Sequence, residues 1–74
     1  MQTELLHIGF GGMVAANRIL AIISPDSAPV RRLIRRAKQN GTSIDMTYGR
    51  KTKAVLVLDS GHIALASIQP ETIV

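Results

Sequence analysis

Apolar positions along this chain follow two rhythms. Leu5-Leu6-His7-Ile8-Gly9-Phe10 reads as a short strand and is broken by Gly11-Gly12. Residues 13–17 carry no clear period. Arg18-Ile19-Leu20-Ala21-Ile22-Ile23 is β-branched and apolar on both faces, which predicts a buried strand. Ser24-Pro25-Asp26-Ser27 is turn chemistry, with proline pre-setting φ. The rhythm then changes: Val30, Leu33, Ile34 and Ala37 take the i, i+3, i+4, i+7 spacing of an amphipathic helix. Ser27 is its best N-cap, because Pro29 then falls at N2, where no N–H is needed. Gly41 is the natural stop.

Beyond the helix, Ser43-Ile44-Asp45-Met46-Thr47 alternates as a half-buried strand, and Tyr48-Gly49 marks a tight turn. Residues 51–58 and 62–68 read as strands joined by the hairpin loop Asp59-Ser60-Gly61. Pro70-Glu71-Thr72 reads as a terminal turn. The pattern predicts one α+β domain over residues 1–74, in the order β-β-α-β-β-β. It would hold a small, mostly antiparallel sheet of four to five strands and one amphipathic helix. The strands at 19–23, 54–58 and 63–68 are apolar on both faces apart from Ser67, yet one helix covers one face. A second copy of the chain is the expected cover for the other; the alternative is that the N-terminal strand folds across it. A domain this small, without a disulfide, a metal site or large aromatics, also leans on oligomerisation.

Composition narrows the class. Apolar residues make up 46% of the 74 positions, which excludes a disordered chain. No cysteine is present, so disulfide frameworks and thiolate metal sites are excluded, and two histidines cannot alone make a structural zinc site. No run approaches the roughly 18 apolar residues of a membrane span. Met1-Gln2-Thr3-Glu4 lacks the features of a signal peptide, so the cytoplasm is the expected compartment.

Charge changes the picture more. The net charge is +4, but it is unevenly placed. Residues 31–53 hold eight basic residues and one acid, a net of +7, leaving −3 for the rest. On the predicted helix, Arg31, Arg35 and Lys38 share one flank and Arg32 and Arg36 a neighbouring stripe, all away from the core face. Gly49-Arg50-Lys51-Thr52-Lys53 leaves a turn and enters a strand, so its side chains project at a sheet edge or corner. Arginine grips phosphate bidentately, lysine acts as a mobile point charge and Thr52 adds a hydroxyl. Such clustering suits a polyanion better than a solvated face. Phe10 and Tyr48 are too few to build a stacking platform for single strands, so duplex DNA is the better match. A membrane surface would want apolar residues beside the basic face, but the helix's apolar stripe belongs to the core.

Catalytic chemistry finds little support. Gly9-Phe10-Gly11-Gly12 fails the dinucleotide pattern at Val14 and lacks the Lys-Ser/Thr of a phosphate loop. His7 and His62 have no metal-ligand spacing, and no nucleophile–base pair stands out. A chain of 8.0 kDa is expected to form a substrate-sized pocket only between subunits. No enzyme activity, cofactor, metal or small-molecule substrate is expected.

Several runs taken together resemble a known family. They are His7-Ile8-Gly9-Phe10-Gly11, Asn17-Arg18-Ile19, Ser24-Pro25-Asp26-Ser27-Ala28-Pro29 and, above all, the segment from Asp45 through Tyr48-Gly49-Arg50-Lys51-Thr52-Lys53 to Val55. They resemble the extracellular-matrix regulatory protein RemA family, over about residues 4–72. The resemblance implies a bacterial, nucleoid-associated regulator in the cytoplasm that binds duplex DNA and activates biofilm-matrix genes. It also implies a ring-shaped homo-oligomer with a fold similar to LytTR-type domains. The family's basic positions fall on Arg18, Arg50, Lys51 and Lys53, and its helix-start proline on Pro29. Thr52 sits among these site residues, while Arg31, Arg32, Arg35 and Arg36 are further candidates for DNA or subunit contacts. The chain departs from the family at Gly12, where Asn is common, and at Lys51 and Lys53, where Arg is common. The rival expectations are a protein-interaction ring whose basic rim meets an acidic partner, and an RNA-binding module.

Overall fold

The computed structural model describes residues 4–73. Its elements in chain order are β1 (Leu5–Gly9), β2 (Gly12–Ala15), a 3₁₀ turn (Ala16–Arg18), β3 (Ile19–Ile23), α1 (Ala28–Asn40), β4 (Ser43–Asp45), β5 (Ala54–Leu58), β6 (Ile63–Ala66) and a short α2 (Pro70–Ile73). The fold is α+β, as expected, with two sheets. β1 and β2 form an antiparallel hairpin, and the other four strands form a sheet in the order β3-β5-β6-β4. β3–β5 and β5–β6 are antiparallel, whereas β4 lies parallel to β6. The chain therefore leaves β3, crosses one face of the sheet as α1, and returns as β4 on the opposite edge running in the same direction.

Three features of the expected layout are corrected. The order is β-β-β-α-β-β-β, because residues 12–15 form a strand that a glycine start and a short alternation concealed. The strands expected over 43–47, 51–58 and 62–68 are shorter, at Ser43–Asp45, Ala54–Leu58 and Ile63–Ala66. Extended backbone still continues past two of these ends: the Met46 N–H donates to Leu65 O and the Lys53 N–H to Ala66 O, at 2.9 and 2.8 Å. The terminal turn proves to be the single helical turn of α2.

The α1 boundaries follow the capping chemistry. Ser27 Oγ accepts from the Val30 N–H at 3.4 Å, and Pro29 falls within the first two helical positions. Gly41 adopts φ 71°, letting its N–H and that of Thr42 turn back to the carbonyls of Lys38 and Ala37. Val30, Ile34 and Ala37 pack with Ile23 onto Val55, Ile63 and Leu65. Leu33, expected in the core, is instead largely outside it. It borders a shallow groove with Arg36, Thr42 and Ile63 on the helix flank.

The second sheet face is covered by the chain itself. Ala54, Leu56, Ala64 and Ala66 pack against Ile8 of β1 and Ile73 of α2, with Leu6, Val14 and Met46 around them. The alternative holds and the expected second copy is not needed here, because β2 doubles the width of the N-terminal cover. Three alanines on the sheet side leave room for it to approach. Gly12 marks how closely the parts fit: a Cβ there would meet Met46 Cε at 3.0 Å and Ile8 Cγ1 at 3.2 Å.

If the hairpin is the cover, Ile8→Ala should cost about 2–5 kcal/mol, a large share of the roughly 4–11 kcal/mol expected for a domain this size. Urea unfolding checks this; a loss under about 1 kcal/mol would mean the hairpin is not packed on the sheet.

Candidate nucleic-acid interface

Strand directions bring the ends of β3, β4 and β6 and the start of β5 to one end of the sheet. The segments that leave there are residues 24–27, 46–53 and 67–69, and α1 begins at the same end. The basic run Arg50-Lys51-Thr52-Lys53 lies in the second of these segments, ahead of β5 rather than within it. Lys51 and Lys53 are exposed and Thr52 is half-buried. The three line a small polar cleft of about 130 Å³ with Ser24, Pro25, Asp26 and Gln69.

Local hydrogen bonds build the segment. Asp45 Oδ1 accepts from the Thr47 hydroxyl at 2.6 Å and from the Thr47 N–H at 2.9 Å, burying Thr47. These two bonds, with a smaller contribution from the Lys38 charge, hold the Asp45 carboxyl below its ordinary value. The Arg50 N–H then donates to Thr47 O at 3.1 Å, closing a turn with Tyr48 and Gly49 at its centre. Both central residues have positive φ, 54° and 80°, as in a mirror-image turn. The β1–β2 hairpin repeats the device with Phe10 at 54° and Gly11 at 83°. Left-handed backbone costs a non-glycine residue about 1–2 kcal/mol, and this chain places both its aromatics there.

The two turns meet. The Phe10 and Tyr48 rings pack edge to face with centroids 6.3 Å apart, and Arg50 Cζ lies 3.7 Å above the centre of the Phe10 ring. Both rings stay substantially exposed. From sequence these aromatics weigh only as a stacking platform, and their union with Arg50 goes unseen. The signal available is the repeated aromatic-Gly pair at two turns.

The remaining candidates are spread out. Arg18 pairs with Asp59 at 3.1 Å at the far end of the β3–β5 pair, about 20 Å from the Lys53 end at strand rise. It therefore does not join the Arg50 segment within one chain. Arg31, Arg32, Arg35 and Arg36 are exposed along α1, with Arg31 and Arg32 nearest its start. Among the described residues, Arg18–Asp59 is the one ion pair, so the other basic groups have no acid within 4.0 Å.

The expectation that so small a chain forms no pocket of its own is corrected. A groove of about 430 Å³ runs between β2 and the sheet, lined by Met13, Val14, Ile44, Met46 and Leu58, with Arg18 and Asp59 at its rim. Its ionic groups are that pair alone. Among the described residues no cluster of three metal-ligating side chains occurs, and no helix is long and apolar enough to cross a membrane.

The molecule is thus a small α+β domain whose exposed chemistry is chiefly cationic, with basic residues along α1 and in the segment that follows the Thr47–Arg50 turn. Residues 5–74 match the RemA-like family, described as extracellular matrix regulatory protein A-like, and the chain belongs to that family. It is 56% identical over 73 residues to a "putative regulatory protein" of Synechococcus sp. (strain JA-2-3B'a(2-13)), a match that covers 99% of this chain and 82% of the relative. A protein so described in Alkaliphilus oremlandii is also 56% identical, over 99% of this chain and 78% of its own length. One in Gloeothece citriformis is 53% identical, over 99% and 83%. These relatives are named as regulators, not enzymes.

The Asp45 bonds give a pH dependence with a defined sign. Its folded value lies below the unfolded one, about 3.9, so its contribution is present above that pH and is lost as pH falls through the folded value. Asp45→Asn should flatten the acid limb of stability against pH, measured by urea unfolding between about pH 2 and 6. An acid limb identical to the parent's would show that the bonds do not couple to folding.

Proposed function

We propose that this regulator binds duplex DNA through the basic end of its sheet, as one subunit of a homo-oligomeric ring. The observation that carries the reading is that Arg50, Lys51 and Lys53 stand exposed, with no acid within 4.0 Å, at and just after a turn that the chain builds with Asp45 and Thr47. Charge left uncompensated costs the folded state something through self-repulsion and supplies phosphate affinity in return. Arg31 and Arg32, nearest the start of α1, extend the positive surface, and Arg18 reaches a second stretch of duplex farther along the sheet. Few exposed aromatics and many cations suit a contact made through phosphates and DNA shape.

The ring has its own support. β3 is an edge strand without charge or proline, and its Leu20 is 70% exposed. Natural edges are normally blunted against pairing by charge, proline or a bulge, and this one has only the register irregularity between Ile19 and Ala21. Repeating a weak basic site around a closed assembly raises affinity through effective concentration. A LytTR-like fold, activation of extracellular-matrix genes and residence at the cytoplasmic nucleoid complete the proposal, on the strength of the family.

Two measurements test it separately. Arg50→Ala should weaken duplex binding, measured by fluorescence anisotropy. The slope of log affinity against log salt should become shallower by about 0.9 for every phosphate that the variant no longer neutralises. Unchanged affinity and slope would remove Arg50 from the site, and capture of an acidic protein in place of duplex would favour the interaction ring. Light scattering at micromolar concentration should give a multiple of 8.0 kDa, reduced by Leu20→Lys; a monomeric mass for the parent would end the ring reading.

A further inference from the structure

Phe10 is an awkward residue for its position. A two-residue mirror-image hairpin favours Asn, Asp or Gly at its first central position, where φ is positive. Phe10 sits there at φ 54° with its ring about half exposed. It stands outside both apolar clusters of the fold. Its ring packs with Tyr48 and Arg50, both from the other mirror-image turn. Unfavourable backbone with no core burial in return is the pattern of a residue kept for a function.

A free arginine side chain samples many rotamers, and a ligand that immobilises it loses affinity to that ordering. Here the guanidinium already lies over an aromatic face at 3.7 Å. The N–H donors of a guanidinium lie in its plane, so stacking on one face leaves them free at the edge. The platform is itself anchored, because Ile8, two residues before Phe10, is fully buried and Tyr48 braces the ring from the side.

We infer that Phe10 is a positioning residue for Arg50, holding the guanidinium so that its edge donors meet a DNA phosphate. This rests on the reading of Arg50 as a phosphate contact. It adds a residue with no charge, in the N-terminal hairpin, to a site otherwise made of cations.

Phe10→Asn separates this role from a structural one. Asn suits the turn, so the variant should unfold in urea at the same or a higher concentration than the parent. Its duplex affinity should fall about 2- to 5-fold for each subunit engaged, the size of an exposed cation–π contact. The salt slope should stay at the parent value, because the charge is unaltered. In an Arg50→Ala background Phe10→Asn should change nothing, while Phe10→Tyr in the parent, which keeps an aromatic face, should leave affinity at the parent value. In the free protein, the Arg50 Hδ resonances should be shifted upfield by the Phe10 ring and return to ordinary values in Phe10→Asn. Parent affinity in Phe10→Asn, an equal loss in the Arg50→Ala background, or unshifted parent resonances would each overturn the role. If Arg50→Ala alone is silent, the DNA reading of Arg50 fails and the inference falls with it. If Arg50→Ala weakens binding and Phe10→Asn does not, only the inference fails.

Discussion

Everything in this molecule depends on the N-terminal hairpin lying over the sheet face that α1 leaves bare. Val55 and Leu65 face the helix while Ala54, Leu56, Ala64 and Ala66 face the hairpin, so β5 and β6 are sandwiched and almost wholly buried. A small domain buries a modest fraction of its surface and has little stability to spare. Two thin layers on one central pair of strands make a closed core out of few residues. The alanines and Gly12 allow the close approach, and Ile8 fills the space between.

Much of this was legible along the chain, and the limits have physical reasons. The helix was readable because four apolar positions keep one phase and because Ser27, Pro29 and Gly41 each have one good place to sit. The β5–β6 hairpin was readable from its apolar runs and the Asp59-Ser60-Gly61 loop. β2 was not, since its four residues include a glycine and show no sustained alternation. The parallel placement of β4 was not, because strand partners far apart in sequence leave no mark on local periodicity. Leu33 shows the limit of the helical stripe, whose edge residues depend on how far the sheet extends beneath them.

The candidate site divides in the same way. Its charges were visible as a dense basic interval. Its architecture was hidden, because it comes largely from contacts between segments: Phe10 with Arg50, and the cleft between Lys51–Lys53 and Ser24–Asp26. Arg18 illustrates the converse. It belongs to the same chemical class as Arg50, yet its Asp59 partner and its place at the far end of β3 set it in different surroundings.

The stack between Phe10 and Arg50 also has a kinetic side. The two residues sit 40 positions apart in the chain, on the two mirror-image turns. A contact of this kind forms only when the loop-closure entropy between its ends is overcome. A growing or partly opened chain carries the same positive charge but not the platform that holds it. Loose attraction to polyanions is then available to any conformer, while the oriented guanidinium exists only in a chain whose first and middle thirds have already met.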